Sequence, residues 1–324
     1  MQAMKRYLLI VISILIFMCG SLPIDAQQRR RGPYSRFEDA IYTHKQMELL
    51  SWLSDDMCRG RATGTVECEM AAHFIARQFE RYGVENLFPD SYFQQFQVDS
   101  ATRGRNVVGI VRSVVPSDEY IVVCAHYDHL GVLKDVVYNG ADDNASGVVA
   151  LLNLAEVFSL MKFTKTGPSK NIIFVALDAK ECNMAGSTYF VEHLPVPEKK
   201  IICAVNLERL GTVLEPVHEG VEDFVIVLGH NTLKKEDRSK IAYANVHYDL
   251  WLDIDYTFYG SDSFSKLYYK LSDQIVFHNA GIPALLFTSG FHKYTYKPED
   301  DVEIISTEAL RKRTILIYYF LLNL

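Results

Sequence analysis

Six short apolar runs constrain the fold of this chain more than any other feature. They are "NVVGIVRSVV" (106–115), "EYIVVCAHYD" (119–128), "KNIIFVALDA" (170–179), "KIICAVNLE" (200–208), "DFVIVLG" (223–229) and "IPALLFTS" (282–289). Several are apolar on both faces, which suits strands in the centre of a covered sheet rather than strands with one wet face. Between them the spacing turns helical. Ala145 to about Phe163 carries Val148, Val149, Leu151, Leu152, Leu154 and Ala155 at helical intervals, and Ser187 to Leu194 reads as a shorter helix. Upstream, Glu67 to Tyr82 sets Ala71, Phe74, Ile75, Phe79 and Tyr82 on one face and stops at Gly83, a residue suited to a left-handed C-cap. A last helix is expected over about Thr307 to Leu322. This alternation predicts a three-layer α/β/α sandwich around a central mixed, mostly parallel sheet.

The N-terminus reads as a targeting segment. Lys5 and Arg6 precede an apolar stretch from Tyr7 to about Met18, and Ile24-Asp25-Ala26 offers a cleavage site, so residues 1–26 are expected to be a signal peptide. The mature chain is then periplasmic or extracellular. Lipidation at Cys19 is not expected, because Met18 is bulkier than a lipobox tolerates before its cysteine. Residues 27–36, with Arg29-Arg30-Arg31 beside Gly32 and Pro33, read as a flexible solvated tail. No Pro, Ser or Gly linker divides the rest, so residues 37–324 are expected to form one α/β domain. Cleavage removes two cations and one anion and moves the formal charge from −7 to −8. That balance argues against nucleic acid as a partner. No stretch after the leader reaches ~20 uninterrupted apolar residues, so no membrane span is expected. Cys58, Cys68, Cys124, Cys182 and Cys203 remain, an odd count at irregular spacing that forms no disulfide framework; whether Cys58 and Cys68 bridge is left open.

The chemistry lies at the ends of the strand runs. His126 and Asp128 close one, Asp142 and Asp143 follow Gly140 at the start of a helix, Glu181 follows another run, and Glu208 ends a fourth. In an open α/β sheet the C-terminal ends of the strands line the ligand crevice. One of these acids alone would be an ordinary helix cap. One histidine and three carboxylates together form a donor set for zinc, or less selectively for another divalent cation.

These stretches resemble the zinc aminopeptidase family that includes bacterial leucyl aminopeptidase, aminopeptidase Y and, more remotely, glutaminyl cyclase. The blocks are "GRATGT" (60–65), "AHYDHLG" (125–131), "NGADDNASGVVALLNLAEVF" (139–158), "IIFVALDAKECNMAGSTYF" (172–190), "AVNLERLG" (204–211), Ser272-Asp273, and "NAGIPALLFTSGFHKYTYKPEDD" (279–301). The resemblance implies two zinc ions bridged by Asp142, with a cis bond to Asp143. His126 and Glu208 would complete one ion. Glu181 and a histidine would complete the other, but Tyr296 stands at the histidine position. The residue before the metal glutamate is the family's general base, and here it is Lys180. The family's "SDH" becomes Ser272-Asp273-Gln274. Asp128, two residues after His126, belongs with the catalytic set.

Lysine is a poor base in that position. Half-neutralising it at pH 7 requires lowering a reference pKa of ~10.4 by about 3.4, or roughly 4.6 kcal/mol. Glu181, Asp178 and Asp128 would favour its charged form. The Lys180 ammonium is therefore expected in the space of the second metal, paired with Asp142 and Glu181, leaving one zinc or none. A rearranged loop in which His292 supplies the missing imidazole is the rival arrangement. Three functions follow: an aminopeptidase with one zinc and Glu181 as base, acting on a peptide or protein N-terminus; an inactive pseudopeptidase that binds or scaffolds; and a glutaminyl cyclase-like acyltransferase. The last fits least, because the cyclases use the equivalents of Asp142, Glu181 and the replaced histidine.

Overall fold

The structure, a computed structural model, describes residues 35–324. The expected signal peptide, Cys19 and the arginine cluster at 29–31 lie outside the described residues. The strands are β1 Glu85–Asn86, β2 Phe93–Gln97, β3 Arg103–Val111, β4 Tyr120–His126, β5 Gly131–Leu133, β6 Val136–Tyr138, β7 Asn171–Leu177, β8 Ile201–Leu207, β9 Phe224–Leu228, β10 Asp253–Asp255 and β11 Ala284–Thr288. The helices are α1 Ser35–Glu38, α2 Thr43–Leu53, α3 Val66–Tyr82, α4 Gly147–Phe163, α5 Ala185–Glu192, α6 Lys240–His247, α7 Asp262–Tyr268, α8 Gln274–Asn279 and α9 Thr307–Asn323.

Among the described residues one sheet runs β1-β3-β7-β4-β8-β11-β9-β10, with β2 also on β3, and β5 pairs with β6 in a small ribbon. β7, β4, β8 and β11 are mutually parallel, β3 runs antiparallel to its neighbours, and β9 runs antiparallel to β11 but parallel to β10. The sheet is therefore mixed with a parallel centre. All six expected strands are present within it.

The two-faced apolar pattern has the expected cause. Along β4, Ile121, Val123 and Ala125 join one core with α2, α3, α4 and α9, whereas Val122 and Cys124 join a second with Phe190 of α5 and Phe277 of α8. Alternate side chains of a strand point to opposite faces, so both faces must be covered. α4 is buried on nearly every side; the stretch Ala141–Phe163 is apolar and long enough to cross a membrane, but most of it lies inside the fold. It is the central core helix. Fully burying one of its leucines contributes about 1.5–3 kcal/mol.

Helix ends follow local chemistry. The Thr65 side chain accepts from the Cys68 N–H at the start of α3, and Gly83 ends it at φ 72°, where a side chain would be strained. At Gly60 (φ 69°) an added Cβ would meet the Tyr138 carbonyl oxygen at 2.3 Å, so the "GRATGT" loop packs on β6 only with glycine there. Cys58 and Cys68 are not bridged: their thiols donate to the Trp52 carbonyl and the Asp178 carboxylate respectively.

Candidate metal centre

His126, Lys180, Glu181 and Glu208 sit at or just beyond the C-terminal ends of the parallel strands β4, β7 and β8. Between β6 and α4, residues Ala141–Ser146 wind as a wide π-helical turn from which Asp143 and Asn144 depart in backbone angle. This turn is stitched to the sheet. Asn144 Nδ2 donates to the carbonyls of Leu207 (2.8 Å) and His126 (3.3 Å), and its Oδ1 accepts from the N–H groups of Arg209 and Gly147. Asp300 holds the other side, accepting from the N–H groups of Asp142 (2.8 Å) and Asp143 (3.0 Å). Burial and the neighbouring Asp142 push the Asp300 carboxyl up to about 7.

Asp143 rather than Asp142 enters the cluster. Ligand atoms of His126, Asp143 and Glu208 lie within 4.8 Å of one another, and so do those of His129, Asp143 and Glu181. Asp142 turns away: its Oδ1 accepts from Gly211 N (2.7 Å) and its Oδ2 faces His292 Nε2 at 3.2 Å. The cis peptide bond is Asp143–Asn144, not Asp142–Asp143. The physical reason is the turn, which sends two adjacent carboxylates in different directions. His292 is thereby engaged with Asp142, and His129 brings the imidazole to the second group.

His126 is fully buried, and its Nδ1 lies 3.0 Å from the Asp128 carbonyl oxygen. A carbonyl only accepts, so Nδ1 carries a proton and Nε2 faces Asp143 Oδ1 at 3.4 Å. Burial and Lys180 both disfavour the charged ring, but Asp128 and Asp143 raise it to about 10, so a cation binding at Nε2 must displace a proton. His129 has neither ring nitrogen hydrogen-bonded; burial drives it down to about 3 despite Asp143, and the ring stays neutral.

Asp128 is a strut. Its two oxygens accept from the backbone N–H groups of Lys180 and Glu181, each at 3.0 Å, tying the end of β4 to the loop after β7. Burial opposes its charge, but His126 and those two N–H groups keep it below the usual carboxylate range. It fixes His126, Lys180 and Glu181 in place, which makes it a positioning residue.

Lys180 points into the cluster. Its Nζ is 2.9 Å from Glu181 Oε1 and 3.5 Å from the Tyr296 hydroxyl, and 5.6 Å from the Tyr296 ring centre. Burial alone would favour the neutral amine, but Asp143, Glu208, Glu181 and Tyr296 outweigh it and hold Lys180 well above the usual lysine range. It is an ammonium at any physiological pH. Glu181 is raised by burial against the pull of Lys180, and at 21% side-chain exposure it is the carboxylate of the cluster most open to solvent.

A second cation is present that the strand-end pattern did not single out. Arg209, 2% exposed, places Nη1 3.1 Å from Asp143 Oδ2 and Nη2 2.5 Å from Glu208 Oε1. Its Nη2 also donates to the Tyr268 hydroxyl, and its guanidinium lies 4.7 Å from the Phe291 ring centre. Burial opposes the charges of Asp143 and Glu208, but Arg209 and Lys180 hold both carboxylates below their usual range. A cation directly after a strand-end glutamate was the available sequence signal.

Below the cluster, Asn206 of β8 donates to Ser272 Oγ (3.0 Å) and Gln274 Oε1 (2.9 Å), and Ser187 donates to Asp273 (2.6 Å). Burial lifts Asp273 to about 6 against His126 and Ser187. A cleft of about 620 Å³ lined by His230, Tyr256, Lys266, Tyr269 and His278 lies instead near the start of β11 and the end of β9. None of the acid cluster lines it.

The donor set fits a divalent ion. His126 Nε2, Asp143 Oδ1 and Glu208 Oε2 are buried, converge, and have no hydrogen-bond partner. One imidazole and two carboxylates make a zinc donor set.

Comparison with known proteins bears on the family and the fold. Aminopeptidase YwaD of Bacillus subtilis is 29% identical over 222 residues, which cover 66% of this chain and 43% of that protein. The alkaline phosphatase isozyme conversion protein of Escherichia coli is 28% identical over 167 residues, 47% of each chain. This chain thus spans less than half the length of either relative. The solved structure of BSAP, a zinc aminopeptidase from Bacillus subtilis, matches with a TM-score of 0.67 at 17% identity, covering 86% of this chain and 94% of that one. Porphyromonas gingivalis glutaminyl cyclase matches with a TM-score of 0.66 at 17% identity over 87% and 98%. These likenesses establish the zinc-exopeptidase fold. Peptidase family M28 matches over residues 106–321, the stretch that holds every member of the cluster, and the chain belongs to that family.

Proposed function

We propose that this chain is an exported, aminopeptidase-like member of the family that holds one zinc ion at His126, Asp143 and Glu208. Its hydrolysis of N-terminal peptide bonds is lowered by the loss of the general base. The observation that carries the reading is Lys180: an ammonium 2.9 Å from Glu181 stands where the resemblance places a carboxylate base. Zinc, when bound, would supply a Lewis acid that polarises a scissile carbonyl and acidifies water. The chain's own residues then have to move the proton. Lys180 cannot accept it, and Glu181 is the remaining solvent-facing carboxylate, pinned by its ion pair. A general base contributes roughly 10²–10⁴-fold, and turnover should be reduced on that scale.

The same ion pair favours a second reading, a binding role without turnover. Glu181 engaged by Lys180 is less free to receive the α-ammonium of a peptide, and Lys180 repels that charge. A ligand would then be held by the rim at Tyr296 rather than consumed.

The test is hydrolysis of aminoacyl anilides by the zinc-loaded chain, beside Lys180→Glu combined with Tyr296→His. The double variant should be at least about 10²-fold faster than the parent. Equal rates in parent and double variant would sink the proposal. A parent whose slow rate disappears in Glu181→Gln identifies Glu181 as the working base, whereas an inert parent favours the binding role.

A further inference from the structure

We infer that Arg209 and Lys180 together take the place of a second divalent ion, so that the buried acid cluster is charge-balanced for one ion and closed to another. The inference rests on the reading that the cluster holds zinc, and it concerns how many ions the protein's own cations permit.

The charges count directly. Asp128, Asp143, Glu181 and Glu208 bring four negative charges to the strand ends, and Lys180 and Arg209 return two. The remainder is the charge of one divalent cation. Buried charge is tolerated only when paired, and a second divalent ion would leave the site in positive excess even with the buried Asp273 beneath it ionised.

Geometry assigns the ion its place. The Arg209 guanidinium stands 3.1 Å from Asp143 Oδ2 and 2.5 Å from Glu208 Oε1 as an ion pair, while Glu208 Oε2 and both oxygens of Asp143 stay without a hydrogen bond near His126 Nε2. His126, Asp143 and Glu208 are the donors for one ion. A second ion bridged through the other oxygen of Asp143 would have to stand where the Arg209 guanidinium already lies, 3.1 Å from Asp143 Oδ2. On the other side, Lys180 Nζ takes up Glu181 Oε1, a donor of the second group with His129. Each cation thus sits against a carboxylate that a second ion would require.

Arg209 is also built to stay. Its backbone N–H donates to Asn144 Oδ1 (2.9 Å), its Nη2 donates to Tyr268, and its guanidinium faces the rings of Phe291 (4.7 Å) and Tyr268 (5.8 Å). A planar fork held on three sides and 2% exposed does not swing into solvent to make room.

The experiment is metal counting on the full chain, by elemental mass spectrometry after equilibration with zinc, alongside calorimetric zinc titration. Wild type should take up one zinc per chain in a single step. Arg209→Met combined with Lys180→Met should take up two, the second through His129, Asp143 and Glu181. Arg209→Lys, which keeps the charge and loses the fork, should remain at one. Two zinc ions in wild type, none in wild type, or a double variant that stays at one would overturn the inference. Should the double variant fold only with zinc present, it is counted after refolding in zinc, and the wild-type titration decides independently. The readout is separate from turnover: fast hydrolysis by a one-zinc parent defeats the proposed loss of the base and leaves this inference standing, whereas slow hydrolysis by a two-zinc parent defeats this inference and the single-ion part of the proposed function but leaves the loss of the base standing.

Discussion

The two halves of the acid cluster share Asp143 and the same sheet edge, yet they are built differently. The half formed by His126, Asp143 and Glu208 keeps three converging buried donors without hydrogen-bond partners. The half formed by His129, Asp143 and Glu181 has the same number of donors but is crossed by the Lys180 ammonium and flanked by Tyr296, which is 43% exposed. The first half is enclosed by the hydrogen bonds of Asn144 and Asp300, whereas the second, though Asp128 fixes its backbone, opens to solvent at Glu181 and Tyr296. A rigid, sealed donor set can be retained while the more accessible side is rewired by a few substitutions, because those changes disturb no strand.

The largest effect should separate Asp143 from Asp142. Asp143→Ala removes the carboxylate common to both halves and should weaken zinc binding by more than the roughly 100-fold that loss of an outer hydrogen-bond partner costs. Asp142→Ala should change zinc affinity by less than that, since its carboxylate serves Gly211 and His292. Isothermal calorimetry reads both, and equal losses would break the assignment of Asp143 to the ion.

A smaller effect tests the floor beneath the retained half. Asp273 titrates near 6 in the folded chain against an ordinary value of 3.8, so between those values the folded state binds more protons than the unfolded state. Stability therefore falls as pH rises from about 4 to about 6, by roughly 3 kcal/mol for a shift of about two pKa units. Asp273→Asn should remove that share of the slope. Urea unfolding in chelator at pH 4.5 and pH 7 measures it, and an unchanged slope would mean that Asp273 is ionised without penalty.

The smallest effect is expected at the open rim. Tyr296→Phe deletes a hydroxyl 3.5 Å from Lys180 Nζ while keeping the ring, and should lower stability by less than about 1 kcal/mol. A melting-temperature comparison checks it. A large loss would show that the tyrosine, rather than Glu181 and Asp143, anchors the ammonium.

Legibility in the sequence tracked the range of the interactions. The strands around 121–125, 172–176 and 203–205 declared themselves because a two-sided sheet demands uninterrupted β-branched and apolar residues, a requirement written over a few neighbouring positions. Lys180 was visible for the same reason: it interrupts a local block beside Glu181. The stretch 212–261 was read less well. Within it β9 was expected, but β10 and α6 have short, half-exposed patterns that edge packing, rather than periodicity, holds in place.

What the sequence determined by itself was the layered α/β architecture and the convergence of acids and histidine on the strand ends, since hydrophobic period and strand order dictate both. What only the tertiary structure decided was the identity of the groups that face one another. Asp142 and Asp143 are adjacent and alike in charge, and only the wide turn before α4 separates their directions. His129 and Arg209 are drawn into the cluster by contacts across the sheet, with Tyr268 and Phe291 supplying the packing that holds the arginine there. Periodicity along one segment carries no information about a side chain's partner some sixty residues away, and these charges are placed by such partners.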